Sequence, residues 1–331
     1  MLIRRTGPVR SVGQTCALLP RRVKRRPCQS TANEVINAFF KDESNPALKR
    51  HETIDLLSPT QSRLLTLTLQ PYIPFPIKLS ESKLPQGHHV VYFPTAAVPE
   101  EQLDSDGTET TYNPGTPFHR RMWAGGRMEW PKDCDLVMSQ TTKEVVELDK
   151  MEAKQRSRGG ELIVMSVRRR LFGIDDSLAV DETRQFVFLK DGDPSAAQAS
   201  SAKQKSTPAK ADRHAVERVF QHSIQLTPAA LFRYSALTFN SHGIHLSKEH
   251  CIKEGHPNLV VHGPLTLSLL LEAVRGVVPK RWKSMTYRAV GPAYVGEALA
   301  LNVGTEKDGK VAAWAEKDDH VPVMNVAIEL W

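Results

Sequence analysis

The sequence predicts an α+β fold made of two similar halves, each an antiparallel sheet curled round a helix. Three observations point that way. A stretch over residues 264–278 is apolar nearly all round, so as a helix it is buried on most faces. In each half a short capped helix accompanies a series of apolar runs separated by turns. A low-complexity segment, 191–213, divides the chain between the two series.

Taken in order, residues 1–33 hold Arg4, Arg5, Arg10, Arg21, Arg22, Lys24, Arg25 and Arg26 and no acidic residue. Small and hydroxylated residues fill the rest without a long apolar core, which predicts a mitochondrial transit peptide rather than a secretory signal or a basic binding tail. The whole chain carries +7 with histidine neutral, and without those eight charges about −1. The basicity belongs to the address, and no nucleic-acid partner is implied. Two of the four cysteines, Cys16 and Cys28, lie in the same stretch. The others, Cys134 and Cys251, have no CxxC spacing, so neither zinc nor a disulfide framework is expected.

Residues 33–50, with Val35, Ile36, Phe39 and Phe40, predict a short helical packing arm. Ser58-Pro59 caps a second helix carrying Leu64, Leu65, Leu67 and Leu69, which Pro71 ends. Apolar runs follow at 89–93, 118–130, 135–147, 161–172 and 184–189. The polar, turn-rich segment 99–117 between the first two is expected to be a surface loop. In the run 118–130, Arg120, Arg121, Trp123 and Arg127 admit two readings. They can line an acyl or phosphopantetheine path, cations complementing phosphate and Trp123 giving a flat wall. They can equally be an ordinary strand with a solvated face and a bulge at Gly125-Gly126, which is the commoner meaning of such a pattern.

The second half opens with a strand at 217–226, and Thr227-Pro228 then caps a helix that carries Tyr234 toward a polar turn. Past the central helix come runs at 284–290, 298–306, 311–317 and 321–330, with Leu299, Leu301 and Val303 alternating as in a strand with one buried face. Asp308-Gly309 between two of these runs signals a hairpin. The central helix is too short and too interrupted, by Glu272 and Arg275, to span a membrane.

The chemistry concentrates in the polar turn and the start of the central helix. Asn240, His242 and His245 lie within six residues, around Gly243. A neutral imidazole suits proton transfer near neutral pH. Gly263-Pro264 opens the helix, and its first turn leaves backbone N–H groups that favour negative charge, a developing oxyanion included.

At these residues the chain resembles the MaoC-like hydratase/dehydratase family of hot-dog proteins, most closely its eukaryotic mitochondrial type 2 3-hydroxyacyl-thioester dehydratase branch. The resemblance rests on residues 231–245 and on Val260-Val261-His262-Gly263-Pro264. His245 falls on the family histidine and Asn240 on the place of the family acid, while Gly243 stands where the branch usually has arginine and Leu246 where an aromatic is common. The resemblance implies a double hot-dog: a degenerate half over 34–190, the linker 191–213 and a catalytic half over 214–331. It implies His245 as base, Gly263 as oxyanion donor, Asn240 orienting the hydroxyl or water, and a structural His242. It further implies (3R)-hydroxyacyl groups on acyl carrier protein or CoA, mitochondrial type II fatty acid synthesis, no metal or redox cofactor, no stable membrane insertion, and a monomer or homodimer. Three rivals stay open: a short-chain or mesaconyl-type CoA hydratase, a hot-dog thioesterase, and an inactive scaffold. The second is disfavoured because no carboxylate lies between Tyr234 and Leu246.

Overall fold

The computed structural model of the protein describes residues 30–78, 82–94, 98–156, 159–190 and 216–331. The expected linker, 191–213, and residues 1–29 of the expected transit peptide lie outside them. Helix α1, Ala32–Lys41, starts just inside the 1–33 stretch. Thr31 accepts from the Glu34 amide while the Glu34 carboxylate accepts from the Thr31 amide, a reciprocal cap that satisfies two free donors. Its Val35 and Phe39 pack with Ile163, Met165 and Phe188 on one face of the sheet, which makes α1 the expected packing arm.

Among the described residues ten strands form one antiparallel sheet. In chain order they are β1 (His51–Leu56), β2 (Arg120–Glu129), β3 (Thr141–Gln155), β4 (Glu161–Phe172), β5 (Leu178–Leu189), β6 (Arg218–Gln225), β7 (Trp282–Ala289), β8 (Ala298–Gly304), β9 (Lys310–Lys317) and β10 (Pro322–Leu330). Their order across the sheet is β1-β3-β4-β5-β2-β7-β10-β9-β8-β6. Each half thus has the same local order read from its outer edge inward. The halves meet where β2 pairs with β7, Gly125 opposite Arg288 and Glu129 opposite Ser284. The expected pair of sheets is therefore fused edge to edge into one. The hairpin between β8 and β9 turns at Asp308 and Gly309, both at positive φ (52° and 69°), as a tight mirror-image turn requires.

The helices are α2 (Pro59–Leu69), α3 (Pro228–Thr238), α4 (Lys248–Lys253) and α5 (Gly263–Val277). Ser58 and Thr227 cap α2 and α3, accepting from the amides of Thr60 and Ala230. Helix α5 is the expected central helix: Leu265, Leu267, Leu269, Leu270, Leu271, Ala273 and Val274 are all buried, and the main core wraps it. The first half departs from the expectation of a central helix in each half. Among its described residues the stretch between α2 and β2 holds no long helix but short 3-10 turns, Gln70–Tyr72, Glu100–Gln102 and, packed nearest α5, His88–Val91, entered through Gly87 at φ +94°. The residues 89–93, expected as a strand, are this turn and its exit. Pro85 and Pro94 bracket the segment too closely for either a long helix or a strand.

That turn is tied to α5 by a buried polar chain. The Ser62 hydroxyl lies 2.8 Å from His88 Nδ1, His88 Nε2 lies 2.9 Å from Glu272 Oε1, and Arg275 approaches Glu272 at 3.4 Å while donating to the Gln86 carbonyl at 2.6 Å. With its proton on Nε2, His88 accepts from Ser62 and donates to Glu272, so each group is satisfied without solvent.

Candidate active site

Helix α3 ends at Thr238, and Phe239 in left-handed backbone (φ 52°) throws the chain into the polar turn. The Asn240 side-chain oxygen accepts from the His242 amide at 3.0 Å and shapes the turn. A 3-10 turn, Gly243–His245, then carries His245 inward, where it is 8 % exposed. His245 Nδ1 lies 2.7 Å from the Val260 carbonyl, which can only accept; Nδ1 therefore carries the proton and Nε2 is left as a base. Burial pushes the His245 pKa down to about 4, keeping the imidazole neutral.

The residue before α5, His262, stacks on His245 with ring centroids 3.6 Å apart and planes 20° from parallel. Its Nε2 lies 2.9 Å from the Ser235 hydroxyl, and its Nδ1 is buried without a partner. This stack puts the base beside the start of α5, where Gly263 and Leu265 have amides with no acceptor inside the helix. A side chain at Gly263 would run into the Trp123 ring, which stacks on Tyr287 at 4.7 Å between centroids. The bulge that shifts register between Trp123 and Gly125 turns this ring toward the helix.

Asn240, His242, His245, His262, Gly263, Trp123 and Arg121 line one cavity of about 930 Å³. The structure thus brings together His245, Asn240, Gly263, Arg121 and Trp123, and the same lining takes in His242, Arg120 and Arg127. Arg121 enters as half of an ion pair, 2.6 Å from the buried Glu109, with its guanidinium 5.3 Å from the Phe186 ring centre. On the first-half side the lining includes Arg169, Glu182 and Arg184. Glu182 accepts from Arg184 at 2.6 Å and approaches Arg169 at 3.6 Å, and against burial these cations hold its carboxyl well below the usual range.

The segment 99–117, expected as a surface loop, instead reaches the active turn. The Gly243 amide donates to the Asp106 carbonyl at 2.7 Å, the Ser241 hydroxyl to the Gly107 carbonyl at 2.6 Å, and the Asp106 carboxylate lies 3.5 Å from His242 Nε2. A carboxylate is therefore present at a turn that has none of its own. Nothing local in the sequence signals it. Gly243, in turn, leaves no room for a longer side chain: a Cβ there would meet the His250 ring at 2.8 Å.

Comparison with known proteins gives the family. The family model for hydroxyacyl-thioester dehydratase type 2 matches residues 87–295, a span that includes the active turn, the start of α5 and the loop carrying Asp106. A mitochondrial hydroxyacyl-thioester dehydratase type 2 of Schizosaccharomyces pombe is 28 % identical over 277 residues, covering 75 % of this chain and 87 % of the relative. A mesaconyl-C(4)-CoA hydratase of Chloroflexus aurantiacus is 29 % identical over 266 residues, covering 80 % and 89 %. Among solved structures, a MaoC-like dehydratase of Phytophthora capsici superposes with a TM-score of 0.61 at 13 % identity, covering 86 % of this chain and 97 % of that one. A double hot-dog protein of Mycobacterium tuberculosis does so at 0.51 and 12 %, covering 88 % and 97 %, which shows the fold alone. The sheet is a doubled hot-dog, the His245 imidazole stacks through His262 at the head of α5, and the family model covers that site and more than half of the sequence: the chain belongs to the hydroxyacyl-thioester dehydratase type 2 family.

Proposed function

We propose that the protein removes water from (3R)-hydroxyacyl thioesters to give trans-2-enoyl thioesters in mitochondrial type II fatty acid synthesis. The observation that carries this is the neutral His245, its Nε2 free, stacked through His262 on the helix start at Gly263. Nε2 takes the Cα proton as negative charge builds on the thioester oxygen, and the Gly263 amide receives that charge. One such donor lowers a barrier by ~2.7–4 kcal/mol. The proton then passes from His245 to the departing 3-hydroxyl on the same face. Asn240, whose oxygen is held by the His242 amide, has its NH₂ left to orient that hydroxyl.

The thioester itself is the electron sink, so this chemistry calls for no metal or redox cofactor. The acyl group rides on acyl carrier protein or CoA, its pantetheine arm passing Trp123 and Arg121 at the cavity wall. A matrix location accords with the expected transit peptide and with the mitochondrial S. pombe relative. Among the described residues no helix is long and apolar enough to cross a membrane.

The test is turnover of a medium-length (3R)-hydroxyacyl thioester, on both carriers, followed by enoyl absorbance. Loss of turnover in His245→Ala and a lower kcat in Asn240→Ala are expected. Release of free thiol without enoyl absorbance would turn the reading to hydrolysis, and no turnover at all to a scaffold. A dicarboxylic acyl-CoA is the second reading, supported by the likeness to a mesaconyl-C(4)-CoA hydratase. A preference for a C4 dicarboxylic substrate over a medium-length acyl chain would select it.

A further inference from the structure

Asp106 sits on the active turn in a prepared setting. Its loop is closed by bonds from the Asp104 amide to the Thr108 carbonyl, 2.7 Å, and from the Gly107 amide to the Asp104 carbonyl, 2.8 Å. Gly107 has φ +83°, and a Cβ there would strike the Ser241 carbonyl, so only glycine lets the loop seat this closely. Asp106 Oδ1 accepts from the Thr108 amide at 2.8 Å and the Thr108 hydroxyl at 2.6 Å, which leaves Oδ2 for His242 Nε2. Asp106 and His242 both line the cavity, and the His242 ring stands edge-on to His245 at 5.5 Å between centroids.

We propose that Asp106 and His242 form a hydroxyl-positioning pair. Asp106 holds the imidazole proton on Nε2, and Nδ1 accepts the O–H of the substrate's 3-hydroxyl, or of water in the reverse direction. This rests on the dehydratase reading above. With its hydrogen held by His242, the hydroxyl turns a lone pair toward His245. The proton taken from Cα goes to that oxygen as the C3–O bond breaks. The C–H electron pair becomes the C2–C3 double bond, and the C3–O pair leaves with water. His242 neither gains nor loses a proton, so a neutral ring is what the role needs. His242 is faced by His245 in the turn, His250 from α4, His256 beyond α4, and Arg121 from β2 with its partner Glu109. Burial, and then His245, Arg121, His250 and His256, hold its pKa well below 6.5.

Asp106→Asn tests the pair sharply. The two Thr108 donors keep a carbonyl oxygen on their side, so the new NH₂ must face His242 and drive its proton to Nδ1. We expect kcat to fall about 100-fold with KM little changed, and imidazole nitrogen NMR to show His242 passing from Nε2–H to Nδ1–H. His242→Gln should lose a similar factor, and the double variant little more, because the two act as a unit. Ser241→Ala cuts the loop's latch without touching the pair and should keep kcat. Wild-type kcat in Asp106→Asn, an equal loss in Ser241→Ala, or a wild-type His242 protonated on Nδ1 would overturn the pair. Should His245→Ala be dead while Asp106→Asn and His242→Gln work normally, only this inference falls. An inactive wild-type protein removes the dehydratase reading together with the pair.

Discussion

His245 can serve as a base only while Nε2 is unprotonated, and its burial sets when that holds. Protonation with a pKa near 4 predicts a kcat that is level from about pH 5 upward and falls below it, read from a pH profile of single-substrate turnover. Gly263 makes a second prediction. A methyl there meets the Trp123 ring, so Gly263→Ala should displace either the ring or the helix start, with about 100-fold loss of kcat. Trp123→Ala in the same chain should restore part of it, and failure of that rescue would show that the clash is not the cause. His245, Asn240 and Gly263 could be found in the sequence because a turn and the following helix start keep them close along the chain. Asp106 could not. Its partners, the Gly243 amide and His242, belong to the other half of the molecule, and a polar DSDGT run looks like any solvated turn until that half is folded against it.

At the scale of elements, the helix caps and the buried α5 followed directly from composition, since Ser-Pro, Thr-Pro and an all-round apolar segment each have one favourable arrangement. Strand limits were harder where buried charge interrupts the pattern. β5 was expected at 184–189 but runs over Leu178–Leu189, because Asp181, Glu182 and Arg184 resemble a turn in sequence, whereas Glu182 is paired within the sheet. The chain from Ser62 through His88 to Glu272 is the same kind of hidden feature, and it fastens α5 to the 3-10 turn of the first half. Burial alone would raise the Glu272 pKa, but Arg275 and His88 hold it below the usual value, so the carboxylate stays charged. Glu272→Ala removes the acceptor and strands Arg275 and His88. A loss of ~3–5 kcal/mol in denaturant unfolding is expected, as for other broken buried pairs.

For the whole molecule, the buried imidazoles set how it responds to acid. His88, His89, His242, His245 and His262 all have pKa values pushed below 6.5, burial being the largest cause in each. In the unfolded chain these rings take up protons at about pH 6.5, and in the folded one they resist. The unfolded state therefore binds more protons as pH falls, and stability present above 6.5 is lost on the way down toward pH 4. Each imidazole adds about 1.4 kcal/mol per pH unit to that slope. Melting temperatures measured from pH 8 to 4 should drop steeply below 6.5, and a flat profile would contradict this burial.

The seam between β2 and β7 governs something else, the timing of folding. It pairs residues roughly 160 apart in sequence, the sort of distant contact that slows a chain most. During synthesis the first half can complete β1 to β5 while the inner edge of β2 has no neighbour, and an open edge is where chains join wrongly. Until β7 arrives, the growing polypeptide is a half-finished sheet with an open edge, and one continuous sheet is won by passing through that exposed interval.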